Sequence, residues 1–147
     1  MFEESIPEVF LDTDVAFDII SGRAPHAEIS MPLLHWVEKG EIRLIISEFS
    51  IANLIYLSND IYKLDRSNDL LTAFIKSCKV IHTSKKSILS AMASTFKDKE
   101  DAVQYHSAIA NQCDYFTTRN LKDYVKHTTS LEVHAPSELI EILRTKI

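Results

Sequence analysis

Asp98-Lys99-Glu100-Asp101-Ala102-Val103-Gln104-Tyr105-His106-Ser107-Ala108-Ile109-Ala110-Asn111-Gln112-Cys113-Asp114-Tyr115-Phe116-Thr117-Thr118-Arg119-Asn120-Leu121-Lys122-Asp123-Tyr124 is the stretch on which the reading of the fold turns. It reads as a helix, a tight turn, a short strand and a charged loop. Asp98 suits the helix start and Asp101 follows three residues later, a capping spacing that satisfies free N–H groups of the first turn. Ala102, Val103, Ile109 and Ala110 recur near helical spacing. Asn111, Gln112 and Asp114 end that helix. Tyr115, Phe116, Thr117 and Thr118 form a β-prone run, and residues 119–123 make a charged loop where the strand ends. An acidic helix start beside a polar strand end suits a cation site in an open α/β sheet, whose ligands gather at strand carboxyl ends.

Working outward, residues 8–12 are a short apolar run closed by Asp12, read as a buried first strand. Thr13 and Asp14 are placed to cap a helix over 15–20. Residues 27–39 are helical, with Ile29, Leu33, Leu34 and Val37 on one side, and Gly40 stops them. Residues 41–46 are a second strand, so the strand–helix–strand order predicts a parallel crossover. Ser47 caps a helix carrying Phe49, Ile51, Leu54 and Ile55. A further helix opens at residues 65–69, a third strand covers 79–82, and a helix over 84–96 is expected to turn Ile88, Leu89 and Met92 inward. A weak strand over 130–134 and a terminal helix started by Pro136 close the chain. Strands alternate with helices throughout. The fold class is therefore α/β, a three-layer sandwich with a small, mainly parallel sheet between helices.

The chain has 147 residues, read as a single domain over 1–147 with ample core. Its 16 basic and 21 acidic residues leave a net charge of −5, against a general nucleic-acid-coating role. Acids concentrated around a metal are compatible with that balance. Cys78 and Cys113 show no metal or redox spacing and read as buried thiols of a reducing, cytoplasmic compartment. The acidic start, with Glu3 and Glu4, is unlike a signal peptide. No apolar run approaches the roughly 18–20 residues of a membrane helix. Two glycines cannot build a glycine-rich phosphate loop. The six histidines lack metal-ligand spacing, and His106 reads as a packed or surface residue. The aromatics Phe17, Trp36, Phe49 and Phe74 fall at core spacing, while Tyr56 or Tyr105 could stack on a base.

Four segments in order resemble the PIN domain family. Val9-Phe10-Leu11-Asp12-Thr13-Asp14 looks like its opening strand. Residues 45–54, with Asn53, look like its second strand and following helix. Asp98-Lys99-Glu100-Asp101-Ala102-Val103-Gln104-Tyr105 is similar to its third motif. Thr118-Arg119-Asn120-Leu121-Lys122-Asp123-Tyr124 is similar to its fourth. Residues 135–139 also fit the bacterial branch that carries these last two patterns. The resemblance implies a metal-dependent ribonuclease acting on single-stranded RNA, and in many bacterial members a VapC-like toxin. Such toxins form homodimers and are blocked by a small antitoxin. It also implies a cluster of four acids holding Mg²⁺ or Mn²⁺. This sequence has Asn53 and Asn120 at two of those positions, and keeps Asp12 and Asp101.

Phosphodiester hydrolysis needs an activated water and relief of phosphate charge, which such ions supply. A hard ion that keeps its waters can be held by one or two carboxylates. Asp12 and Asp101 are the expected ligands, with Asp98 and Asp123 nearby in sequence to assist. Asn53 and Asn120 would ligate or orient a metal-bound water through their carbonyl oxygens. Each acid-to-amide change removes a negative charge and should lower metal affinity. Arg119 and Lys122 are available for phosphate contacts. Plainer roles stand beside these: Asp98 and Asp101 as helix-start acids, Asp14 as a cap, Glu48 as a solvated first-turn acid, Asn120 as a turn residue. A module that binds RNA or a protein without cutting is the competing functional class. A third possibility is a protein inactive alone that completes its metal site only when RNA binds.

Overall fold

β1 (Glu8–Leu11) lies in the middle of the sheet, and Val9, Phe10 and Leu11 are fully buried. In the computed structural model, which describes residues 5–127 and 130–147, β2 (Arg43–Ser47) and β4 (Tyr115–Thr117) flank it. β3 (Cys78–Ile81) and β5 (Val133–His134) form the edges, giving the order β3-β2-β1-β4-β5. All four pairings are parallel. Most of the acidic start weighed against a signal peptide lies outside the described residues.

Side chains alternate across the strands, so each face of the sheet builds its own core. Val9, Leu11, Leu44 and Ile46 face α1 (Thr13–Ser21), α2 (His26–Glu38) and α8 (Pro136–Arg144), through residues such as Phe17, Leu33 and Leu139. Phe10, Ile45 and Phe116 face the other way, with Phe10 stacked on Phe116 at 5.1 Å. There they meet Ala91 of α5 (Lys85–Ala93), Tyr105 of α6 (Lys99–Ala110), and Tyr124 of α7 (Leu121–Val125). The middle of the chain adds α3 (Glu48–Tyr56), a π-helical turn (Leu57–Ile61) and α4 (Ser67–Lys76). The result is the expected three-layer α/β sandwich, with a sheet parallel throughout its described length. Among the described residues no helix is long and apolar enough to cross a membrane.

Several local expectations are corrected. The charged loop after β4 contains the short helix α7, because Leu121 and Tyr124 are spaced to turn one side inward and Tyr124 is buried. Asp12, rather than Thr13 or Asp14, caps α1, its carboxylate accepting the Thr13 N–H. α5 does not turn Ile88, Leu89 and Met92 inward; it packs through small Ser87 and Ala91, leaving Leu89 57% exposed. Tyr105 is buried, its hydroxyl bonded to the Leu131 carbonyl, so it cannot stack on a base. Phe49 is exposed rather than core. Gly40 takes a left-handed φ of 73° just past α2, consistent with a chain that must turn sharply into β2.

Candidate active site

The strand order itself locates the site. From β1 the chain builds outward to β2 and β3, then returns to the other side of β1 for β4 and β5. The crevice at the carboxyl ends of β1 and β4 is thus the topological switch point, where open parallel sheets place ligands. Asp12 sits there because β1 stops at Leu11 and α1 starts at Thr13. The Asp12 N–H still bonds to the Thr117 carbonyl at 3.0 Å, so the end of β4 is locked beside it.

The Asp12 carboxylate is 4% exposed. Its Oδ1 accepts the Thr13 N–H at 2.8 Å. Its Oδ2 accepts the hydroxyls of Thr118 at 2.7 Å and Tyr124 at 3.2 Å. Burial raises its pKa, and the donors from Thr118, Thr13 and Tyr124 oppose that rise. Asp14 follows on α1, with a buried Oδ1 that has no partner among the described residues. Burial, then the charge of Asp12, pushes its carboxyl up to about 7. Asp101, in the first turn of α6, is also pushed up to about 7, by burial first and then by Asp12 and Asp98.

These acids line one cleft of about 290 Å³. Asn53, from α3, and Asn120, after β4, line it too. Asp98 is at its rim, where its Oδ1 also caps α6 by accepting the N–H groups of Glu100 and Asp101 at 2.9 and 3.2 Å. Asn120 gives its side-chain N–H to Asp123, which is exposed and not part of the cleft wall. Lys122 stands exposed on α7, outside that wall. Arg119 is engaged by the buried Asp18, its Nε at 2.6 Å and Nη2 at 3.3 Å from the two carboxylate oxygens. Glu48 is exposed and bonds His82. His106 packs beside Phe96.

Three supporting residues were not singled out from the sequence. Gln104 Oε1 accepts from the Thr13 N–H and hydroxyl, both at 3.1 Å, and from the Ser50 hydroxyl at 3.3 Å, tying α6 to the starts of α1 and α3. Tyr124 and Thr118 hold Asp12 as described. Gln104, Thr118 and Tyr124 all lie within the third and fourth quoted motifs, so a signal was present. Asp18 gave none, since its partner Arg119 is far away in sequence.

The donor set is hard oxygen, including one buried carboxylate oxygen that has no partner among the described residues, which suits a hard divalent cation. Among the described residues no three His, Cys, Asp or Glu side chains converge closely enough to enclose an ion by themselves. A cation that retains several waters fits such a spread arrangement.

Mutually repelling carboxylates at the switch point of a parallel sheet define an α/β protein with an acidic cleft. The sequence profile of the PIN domain matches residues 8–122. The chain belongs to the PIN domain family. No curated protein matches it. Among solved structures, its fold is similar to VapBC2 from Rickettsia felis bound to a DNA fragment from its promoter, with TM-score 0.69 and 20% identity over 87% of this chain and 98% of that one. DNA-bound VapBC from Salmonella typhimurium gives TM-score 0.70 and 16% identity over 88% and 98% of the two chains. Mycobacterium tuberculosis VapC20, a sarcin–ricin loop cleaving toxin, gives 0.55 and 14% over 74% and 86%.

Proposed function

We propose that this PIN domain is a Mg²⁺- or Mn²⁺-dependent endoribonuclease of single-stranded RNA, and the toxin of a type II toxin–antitoxin pair. The observation that carries the reading is that Asp12, Asp14 and Asp101 line one cleft, with a buried Asp14 oxygen that has no partner among the described residues. Solved neighbours that are VapBC complexes, and one described as a sarcin–ricin loop cleaving toxin, support it.

In this reading Asp12 and Asp101 hold the ion, with Asp14 and Asp98 beside them. Once bound, the ion supplies phosphate charge relief and an activated water. Thr118 and Tyr124 fix the orientation of Asp12, so its carboxylate does not rotate as substrate enters. Asn53 and Asn120 line the cleft without adding repulsion. Asp123 restrains the Asn120 amide. Lys122 offers an exposed charge to the RNA backbone. Arg119, committed to Asp18, contributes its field rather than a contact. Because burial raises the Asp14 and Asp101 pKa values toward 7, these carboxyls would have to give up protons to hold an ion, and activity is expected to rise through that range. The exposed apolar residues Leu89 and Met92 on α5, and Ile55 and Tyr56 on α3, are surface for a second copy or an antitoxin.

The two asparagines favour one competing reading, a PIN-fold module that binds without cutting. Cleavage of a mixed single-stranded RNA pool by purified protein decides between them, run with EDTA, Mg²⁺ or Mn²⁺ beside the Asp101→Asn variant. Metal-dependent cutting that the variant loses is the expected result. Folded protein that cuts with neither metal sinks the nuclease reading in favour of the binding module.

A further inference from the structure

The lining of the cleft includes one arginine, Arg23, which among the described residues pairs with none of those acids. Arg23 follows α1, and its Nε donates to Asp18 Oδ1 at 2.7 Å. Its Nη1 donates to the Tyr62 hydroxyl at 3.3 Å. The guanidinium carbon lies 5.1 Å from the Phe17 ring centre and 5.5 Å from that of Tyr62, and those two rings are 4.8 Å apart. A planar cation is thus fixed by one carboxylate, one hydroxyl and two aromatic rings. Among the described residues its Nη2 donates to nothing. Phe17, Arg23 and Tyr62 all line the cleft that holds Asp12 and Asp101.

The charge balance gives this arrangement a purpose. Asp18 is 1% exposed and is shared by Arg23 and Arg119, so the three groups together carry one surplus positive charge. A second arginine on Asp18 leaves Arg23 less than fully neutralised. A cleft built from carboxylates repels a polyanion, and a preorganised arginine fork at its wall offsets that repulsion. Tyr62 is 51% exposed and lines the cleft. Aromatic stacking of this kind accepts any base.

We propose that Arg23 receives a backbone phosphate of the RNA next to the one that is cut, and that Tyr62 stacks the adjoining base. The proposal rests on the endoribonuclease reading, and its test separates the two. Binding is read by fluorescence anisotropy of a labelled mixed-sequence single-stranded RNA, with the full chain carrying Asp101→Asn, in EDTA, across a salt series. Adding Arg23→Gln should lower the slope of log affinity against log salt by about 0.7, the value of one single-strand phosphate contact. Tyr62→Ala should weaken binding at least about fivefold with the slope unchanged. Arg23→Lys should keep the slope and lose affinity, since it keeps the charge without the fork.

Weaker binding by Arg23→Gln at an unchanged slope means a merely structural role and overturns the proposal. So does unchanged binding in Arg23→Gln or in Tyr62→Ala. If Arg23→Gln does not fold, Arg23→Lys and Tyr62→Ala decide, and parental affinity in either one overturns it. Absence of RNA binding by the parent also overturns it. Metal-dependent cleavage by the wild-type chain, measured alongside, judges the endoribonuclease reading independently.

Discussion

Replacing Asp14 by Asn should flatten the pH dependence of folding stability. The Asp14 carboxyl is held at about 7 in the folded chain, against an ordinary 3.8, by burial first and by Asp12 second. The folded state therefore binds this proton more tightly than the unfolded state does. Below both values the two states are equally protonated and Asp14 is neutral in effect. Between 3.8 and about 7 the unfolded chain ionises first, so folding weakens as pH rises. Above about 7 the penalty is complete. Each tenfold difference in proton affinity is worth about 1.4 kcal/mol, which sets a ceiling of about 4 kcal/mol. Solvent at the less buried part of the carboxylate, and relaxation around Asp12, reduce the expected effect to about 2 kcal/mol. Urea unfolding of wild type and Asp14→Asn in EDTA, from about pH 5 to about pH 8, measures it. The stability gap should move in favour of the variant as pH rises, whatever constant offset the new amide introduces. Parallel curves would refute the reasoning, because they would mean that Asp14 titrates alike in both states. Mg²⁺ added at the upper end should stabilise wild type more than the variant.

Gln104→Leu takes the acceptor from the Thr13 hydroxyl, while the Thr13 N–H keeps Asp12 and the Ser50 hydroxyl keeps Ser47, and should cost about 1–3 kcal/mol in urea unfolding. Arg119→Ala removes two of the three bonds to buried Asp18 while Arg23 keeps the third, and should cost about 2 kcal/mol by the same measure.

The parallel sandwich was legible because its strands are short apolar runs separated by helical patterns, and burial on both faces demands that composition. Asp12 was legible for a related reason: an acid ending a fully apolar run has few bland explanations. Asp101 and Asp98 stood out by capping spacing, and Asp98 does cap α6. Other features depend on distances the sequence does not carry. Ile88, Leu89 and Met92 follow a helical apolar pattern, yet α5 packs closely through Ser87 and Ala91, and such a contact by small residues outweighs the larger side chains. α7 is only five residues long, too short for periodicity to register. Tyr124 looked like a motif's last letter, and only the tertiary fold turns its hydroxyl onto Asp12. The Asp18–Arg119 pair joins residues 101 positions apart. The π-helical turn that brings Tyr62 against Phe17 has no local signature at all.

The central place of β1 also bears on the timing of synthesis. Asp12 is translated well before its partner hydroxyls on Thr118 and Tyr124, which come 106 and 112 residues later, and before the β4 strand beside it. A nascent chain holding everything up to α5 has neither Asp101 nor these donors. The cleft therefore closes only after α7 has been made, and a ribosome whose chain stops at α5 carries no assembled acidic site.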